Sequence, residues 1–313
     1  MKENNMNRSM KNLLLLFIAI LLIACTTKKQ DDLQPAEFPE FSAESHRGGR
    51  GAMPENTIPA MLYSLSLDYL TTLELDVYVT ADKQLILSHD AYLNPSFVLN
   101  PDGTEIDKAD NKKYPLHQMN YDEIKEFDVG SKVHEGFPEQ KKMKVSIPLL
   151  GDVIDSVQHY IKTHKRAQVF YNIETKSSED KDNVLNAAPE EFVKLLMDVV
   201  EKKGITPYVI VQSFDVRTLQ ILNEKYPYVR TSYLVGPARQ KEFTIEEELE
   251  VLGFDPDIYS PHFKYITKEQ IEKCHERGIK VVVYTPNTKE EIDELKAMGV
   301  DGIITDYPEL LAE

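Results

Sequence analysis

The chain has 313 residues, 42% hydrophobic and 28% charged, with a formal net charge of -16. That composition supports a sizeable core without disulfides. A body this acidic is repelled by nucleic acid and by anionic lipid headgroups, which favours a small soluble substrate over a polymer or a membrane surface.

The N-terminus reads as targeting rather than fold. Lys2, Arg8 and Lys11 precede an apolar run from Leu13 to Ile23, too short to span a bilayer comfortably, which ends in Leu22-Ile23-Ala24-Cys25. This resembles a bacterial lipoprotein signal. It implies a signal peptide over residues 1–24, lipidation of Cys25, and a cell-envelope location in which lipid is the only membrane contact. Several acyl chains on one cysteine anchor stably where a single chain binds marginally. Residues 25–40 read as a tether. With Cys25 acylated no intramolecular disulfide is possible, and Cys274, three residues after Ile271 on an amphipathic helix, reads as a small core residue.

A short strand over Phe41–Ser45 is followed by a glycine-rich loop from His46 to Thr57. A helix comes next, with Ile58, Met61, Leu62 and Leu65 on one face, capped by Asn56 or Thr57. Residues 72–80 alternate as a strand, Ala81-Asp82-Lys83 turn, and Gln84–Ser88 return. A turn centred on Asp82 and Lys83 pairs Thr80 with Leu85, Tyr78 with Leu87 and Asp76 with His89. On the strand Glu74 and Asp76 share a face, an arrangement that invites a divalent cation, with an imidazole beside it.

Residues 91–147 break the rhythm and read as a mainly polar insertion above the site. Beyond it, strands are expected over 168–175, 208–214, 230–235, 257–262, 280–285 and 302–306, alternating with helical patterns. Thr267 with Gln270, and Thr288 with Glu291, read as capping boxes. With the first two strands this makes eight. The expected fold is an α/β (β/α)8 TIM barrel with an insertion after the second-strand hairpin. Barrel sites form at the C-terminal strand ends, where His46, Arg47, Glu74, Asp76, Glu174, Lys176 and Asp306 all fall.

His46-Arg47-Gly48 followed by Pro54-Glu55-Asn56-Thr57, then Glu74-Leu75-Asp76 and His89-Asp90, resembles the signature of the glycerophosphodiester phosphodiesterase family. Asn172-Ile173-Glu174-Thr175-Lys176, Gln212-Ser213-Phe214 and Asp301 to Pro308 agree, so the resemblance spans about residues 41–310 of an expected domain over 41–313. It implies that His46 and His89 are the catalytic acid/base pair and that Glu74, Asp76 and Glu174 hold a divalent metal. Three carboxylates suit Ca²⁺ or Mg²⁺ better than zinc. Arg47 and Lys176 would neutralise phosphate, and the products would be glycerol 3-phosphate and an alcohol.

One departure stands out. The family's penultimate strand usually ends in tryptophan; here it reads Tyr284-Thr285-Pro286-Asn287, which bears on substrate preference, with Tyr284 able to stack on glycerol. Glu55 and Asn56 are expected to order the first loop, Asp306 to brace a basic residue, and His262 either to line the mouth or to be a packed or solvated histidine. Two other readings are a sphingomyelinase D-like phospholipase, which would want an apolar rim, and a lipoprotein that binds glycerophosphodiesters without turnover.

Overall fold

The computed structural model describes residues 33–312. The expected signal peptide, Cys25 and the first half of the expected tether lie outside the described residues. Nine strands form one sheet: β1 (Ser42–Ser45), β2 (Thr72–Val79), β3 (Leu85–Leu87), β4 (Phe170–Thr175), β5 (Val209–Ser213), β6 (Arg230–Val235), β7 (Ile258–Pro261), β8 (Lys280–Tyr284) and β9 (Gly302–Thr305). Eight of them pair in parallel in the order β1-β9-β8-β7-β6-β5-β4-β2, and β1 pairs with β2 to close the ring. This is the (β/α)8 barrel, with β3 antiparallel outside β2.

The pleat sorts each strand's residues. In β2, Leu73, Leu75 and Val77 join the apolar layer beneath the helices, where Val153, Ile154, Phe192, Leu196 and Leu219 are also buried. Thr72, Glu74 and Asp76 therefore point into the barrel. An apolar group of Phe170, Ile210, Ile258, Val282 and Ile304 fills one part of the interior and packs with Phe38 of the N-terminal segment. Ala36 N–H donates to Pro207 O at 2.8 Å, so the segment before β1 is tied to the strand N-termini. That leaves the opposite end for polar chemistry.

Two expectations need correction. The hairpin register is one residue away from the expected one: Val77 stands opposite Leu87, Tyr78 opposite Ile86 and Val79 opposite Leu85. Three residues rather than two make the turn, because Thr80 N–H donates to Gln84 O at 2.9 Å and Lys83 takes a left-handed φ of 62°. Asp76 thus faces Ser88, whose N–H donates to Asp76 O at 3.1 Å, and His89 lies just past the pairing. The insertion, expected to be mainly polar, has its own apolar core: Leu93, Val98, Ile106, Leu116, Ile124, Phe127, Val129 and Ile147 pack on Tyr78 and Ile86. Its apolar residues are spread without a regular period, so composition hid the cluster.

The helix caps are local and mostly as expected. Thr57 caps the first barrel helix, Ile58–Leu65, by accepting from Ala60 N–H. Thr267 and Gln270 form a full capping box before Lys268–Glu276. At Lys289–Met298 only half the box forms: Thr288 accepts from Glu291 N–H, while the Glu291 carboxylate accepts from Asn287 N–H instead. Cys274 is fully buried, as expected of a core residue.

Candidate active site

The loop after β1 is bent by backbone conformations that few side chains tolerate. Arg47 has φ 52° and Asn56 φ 55°, both in the left-handed region. Gly48 has φ 76°, and a Cβ there would sit 2.8 Å from Ala60 Cβ. The loop is therefore pressed onto its own helix with no room for a side chain. This bend aims Arg47 N–H at Glu74 Oε2, 2.7 Å away, and places the guanidinium 2.9 Å from Glu55 and 3.2 Å from Asp76 Oδ2. Asn56 grips Asp76 twice: its amide donates to Oδ2 at 2.8 Å, and its carbonyl accepts the Asp76 N–H at 3.1 Å. Glu55 and Asn56 thus order the loop, as expected, and Asn56 also fixes a site carboxylate.

Glu74, Asp76 and Glu174 converge, each offering an oxygen within 4.8 Å of the others. They come from neighbouring strands in register, Asp76 directly opposite Glu174. All three are buried. Burial of like charges costs several kcal/mol per ion unless it is compensated. The compensation present is Arg47, shared with Glu55, and Lys176, 2.8 Å from Glu174 and 3.8 Å from Asp76.

The charges respond accordingly. Burial and the neighbouring Asp76 push Glu74 well above the usual carboxylate range. Burial also raises Asp76, but Arg47 and Lys176 outweigh it and hold Asp76 well below that range. Burial raises Glu174, against the pull of Lys176. Three carboxylates against two cations, one of them shared, leave an oxygen-rich cluster short of positive charge. A hard divalent cation fits that donor set.

Both histidines line the same cavity of about 250 Å³, with Arg47, Arg50, Glu74, Glu174, Gln212, Phe214, Leu234, His262 and Tyr284. Each has a carboxylate partner. His46 Nδ1 lies 2.5 Å from Asp306 Oδ1, and His89 Nδ1 lies 3.0 Å from Asp90 Oδ1. Burial and Arg47 lower the His46 pKa to about 4 despite Asp306, so the ring is neutral at pH 7. With Nδ1–H donated to Asp306, Nε2 carries the lone pair. Burial also raises Asp306, but His46 and Arg50 outweigh it and keep it ionised.

Tyr284 forms part of an aromatic wall. Its hydroxyl donates to Val235 O at 3.0 Å, its ring meets Phe214 edge-on at 6.0 Å, and His262 lies 5.6 Å away. The hydroxyl is thus occupied and the ring is the surface on offer. His262 lines the mouth. A second groove, about 450 Å³, starts at His89 and Lys176 and runs between Tyr78, Tyr92 and Asn94 of the insertion side and Lys181.

Two contributors were not legible in the sequence. Gln212 donates to Glu74 Oε1 at 2.7 Å; its place at a strand end was visible, but nothing marked its side chain as reaching across the barrel. Arg50 donates to Asp306 through Nε at 2.6 Å and Nη2 at 3.3 Å. The expectation that Asp306 braces a basic residue holds for both Arg50 and His46.

The sequence profile of the glycerophosphoryl diester phosphodiesterase family matches residues 46–310. A glycerophosphodiester phosphodiesterase of Caldanaerobacter subterraneus is 27% identical over 274 residues, covering 85% of this chain and 94% of that protein. A lysophospholipase D of Rattus norvegicus is 26% identical over 292 residues, covering 86% and 84%. Among solved structures, a Silicibacter pomeroyi protein named for the same diesterase activity superposes with a TM-score of 0.76 at 27% identity, covering 90% and 94%. An Oleispira antarctica phosphodiesterase, solved with sn-glycerol-3-phosphate, shares the fold with a TM-score of 0.65 at 22% identity, covering 87% and 94%.

Proposed function

The chain belongs to the glycerophosphoryl diester phosphodiesterase family, and from that premise we propose that it hydrolyses glycerophosphodiesters to glycerol 3-phosphate and an alcohol, using a divalent metal and the His46/His89 pair. The observation that carries this reading is the convergence of Glu74, Asp76 and Glu174 beside two carboxylate-partnered histidines in one cavity.

Glu74, Asp76 and Glu174 would hold Ca²⁺ or Mg²⁺, which when bound supplies charge to neutralise the phosphate oxygens. The protein's own residues do the rest. Arg47 and Lys176 offset phosphate charge from either side of the carboxylates. His46, neutral and oriented by Asp306, takes a proton at Nε2 from the attacking hydroxyl. His89, at the junction of the cavity and the second groove, gives a proton to the departing alcohol. The attacker is either the substrate's own glycerol hydroxyl, giving a cyclic phosphate that water opens, or water itself. The apolar wall of Phe214, Leu234 and Tyr284 suits the carbon face of glycerol.

A panel assay tests the substrate class. Glycerol 3-phosphate is expected from glycerophosphocholine, glycerophosphoethanolamine and glycerophosphoinositol, at rates well above choline release from a lysophospholipid. The lysophospholipid is the second reading, favoured by the half-exposed Phe214 at the cavity rim and by the lysophospholipase D relative. Faster turnover of the lysophospholipid would make that reading the correct one.

We also propose that Cys25 carries a lipid anchor at the bacterial envelope, on the strength of the basic segment and the Leu-Ile-Ala-Cys ending. Cys25→Ser should abolish incorporation of a labelled fatty acid; equal labelling of both forms would refute it.

A further inference from the structure

Arg50 has no part in the reaction described above, yet its guanidinium is held by three side chains. Its guanidinium meets both Asp306 oxygens, lies 3.6 Å from Glu55, and rests 4.7 Å from the Phe137 ring centroid. Phe137 belongs to the insertion, and the same stretch is sewn to the catalytic loop. Gln140 Nε2 donates to Arg50 O at 2.7 Å, and Lys141 N–H donates to Ala52 O at 2.8 Å. Phe137 also packs against Tyr307, the residue after Asp306, at 6.3 Å between ring centroids.

Asp306 is the point where these contacts meet the chemistry. One oxygen accepts from both His46 and Arg50, and the other accepts from Arg50 and, at 2.7 Å, from Asn287. A carboxylate bonded to histidine alone can turn about its own axis; a forked arginine contact fixes its plane. We propose that Arg50 is a positioning residue that locks Asp306, and through it the His46 ring, and that the Phe137–Lys141 strap of the insertion holds Arg50 in place. The insertion then acts on turnover through a residue that works by holding Asp306 rather than on the reacting atoms.

This inference rests on the reading of His46 as the base, and a double-mutant cycle on the full chain separates the two. A small misplacement of a reacting group costs up to about 10²-fold, so Arg50→Ala should lower kcat by about 10- to 100-fold with KM changed less than about threefold. Arg50→Lys should recover little, because lysine lacks the fork, and added guanidinium should restore part of the Arg50→Ala rate. Phe137→Ala should lower kcat in the native background and add nothing in the Arg50→Ala background. Melting temperatures of all variants check that they remain folded; should Arg50→Ala fail to fold, Arg50→Lys serves as the second background.

An equal loss from Phe137→Ala in both backgrounds would overturn the strap. Unchanged kcat in Arg50→Ala, with His46→Ala inactive, would overturn the role of Arg50 alone. An active His46→Ala would remove the catalytic reading itself, and this inference with it.

Discussion

Asp76→Asn is expected to lower kcat/KM by about 10³-fold or more, in line with several kcal/mol of charge stabilisation at a metal-assisted phosphoryl site. Asp76 is the hub of the acidic cluster: Asn56 bonds its side chain and its backbone, Arg47 is 3.2 Å from one oxygen and Lys176 3.8 Å from the other. The asparagine keeps the shape while removing the charge that the cluster needs to draw a cation. It also leaves Arg47 and Lys176 with less buried compensation, so some loss of stability accompanies the loss of rate. Glu174→Gln should behave similarly, since Glu174 faces Asp76 across β2 and β4. Turnover of Asp76→Asn within tenfold of the parent would show that the cluster is a structural ion network.

The second large effect belongs to the histidines. His46→Ala and His89→Ala should each cost about 10²- to 10⁴-fold in kcat, the span of general acid or base catalysis. Neither change should unfold the protein, because both rings face the cavity rather than the apolar layer under the helices. A substrate with a good leaving group, such as a nitrophenyl ester of glycerol phosphate, should rescue His89→Ala more than His46→Ala. That pattern assigns the acid to His89. Near-normal turnover of both alanine variants would refute the acid/base assignment.

Much of this was readable in the sequence, for physical reasons. Strand alternation put Glu74 and Asp76 on one face, and the sheet confirms that their intervening Leu75 and flanking Leu73 and Val77 go to the helix side. Pattern alone located every barrel strand, with ends shifted by a residue or two, as at β4 and at β5, where a 3-10 turn over Thr206–Tyr208 takes the expected first residue. The hairpin register failed because a three-residue turn at Ala81–Lys83 and a two-residue turn look alike in residue type. The decisive contacts are the Thr80 side chain on Asp82 and Gln84. Contacts between residues far apart in the chain were also illegible. Gln212 to Glu74 and Arg50 to Asp306 join residues 138 and 256 positions apart, and neither pair has a local signature. The insertion core was missed because its apolar residues follow neither a helical nor a strand period, being gathered instead by irregular turns around Tyr78 and Ile86.

The central claim is that a cation held by Glu74, Asp76 and Glu174 enables hydrolysis of glycerophosphodiesters. The most direct measurement is glycerol 3-phosphate release from glycerophosphocholine by the purified chain, before and after exhaustive chelation and again after adding Ca²⁺ or Mg²⁺. Release that stops with chelator and returns with one of these ions is the expected result. Undiminished release after chelation, or no release under any metal condition, would contradict the account.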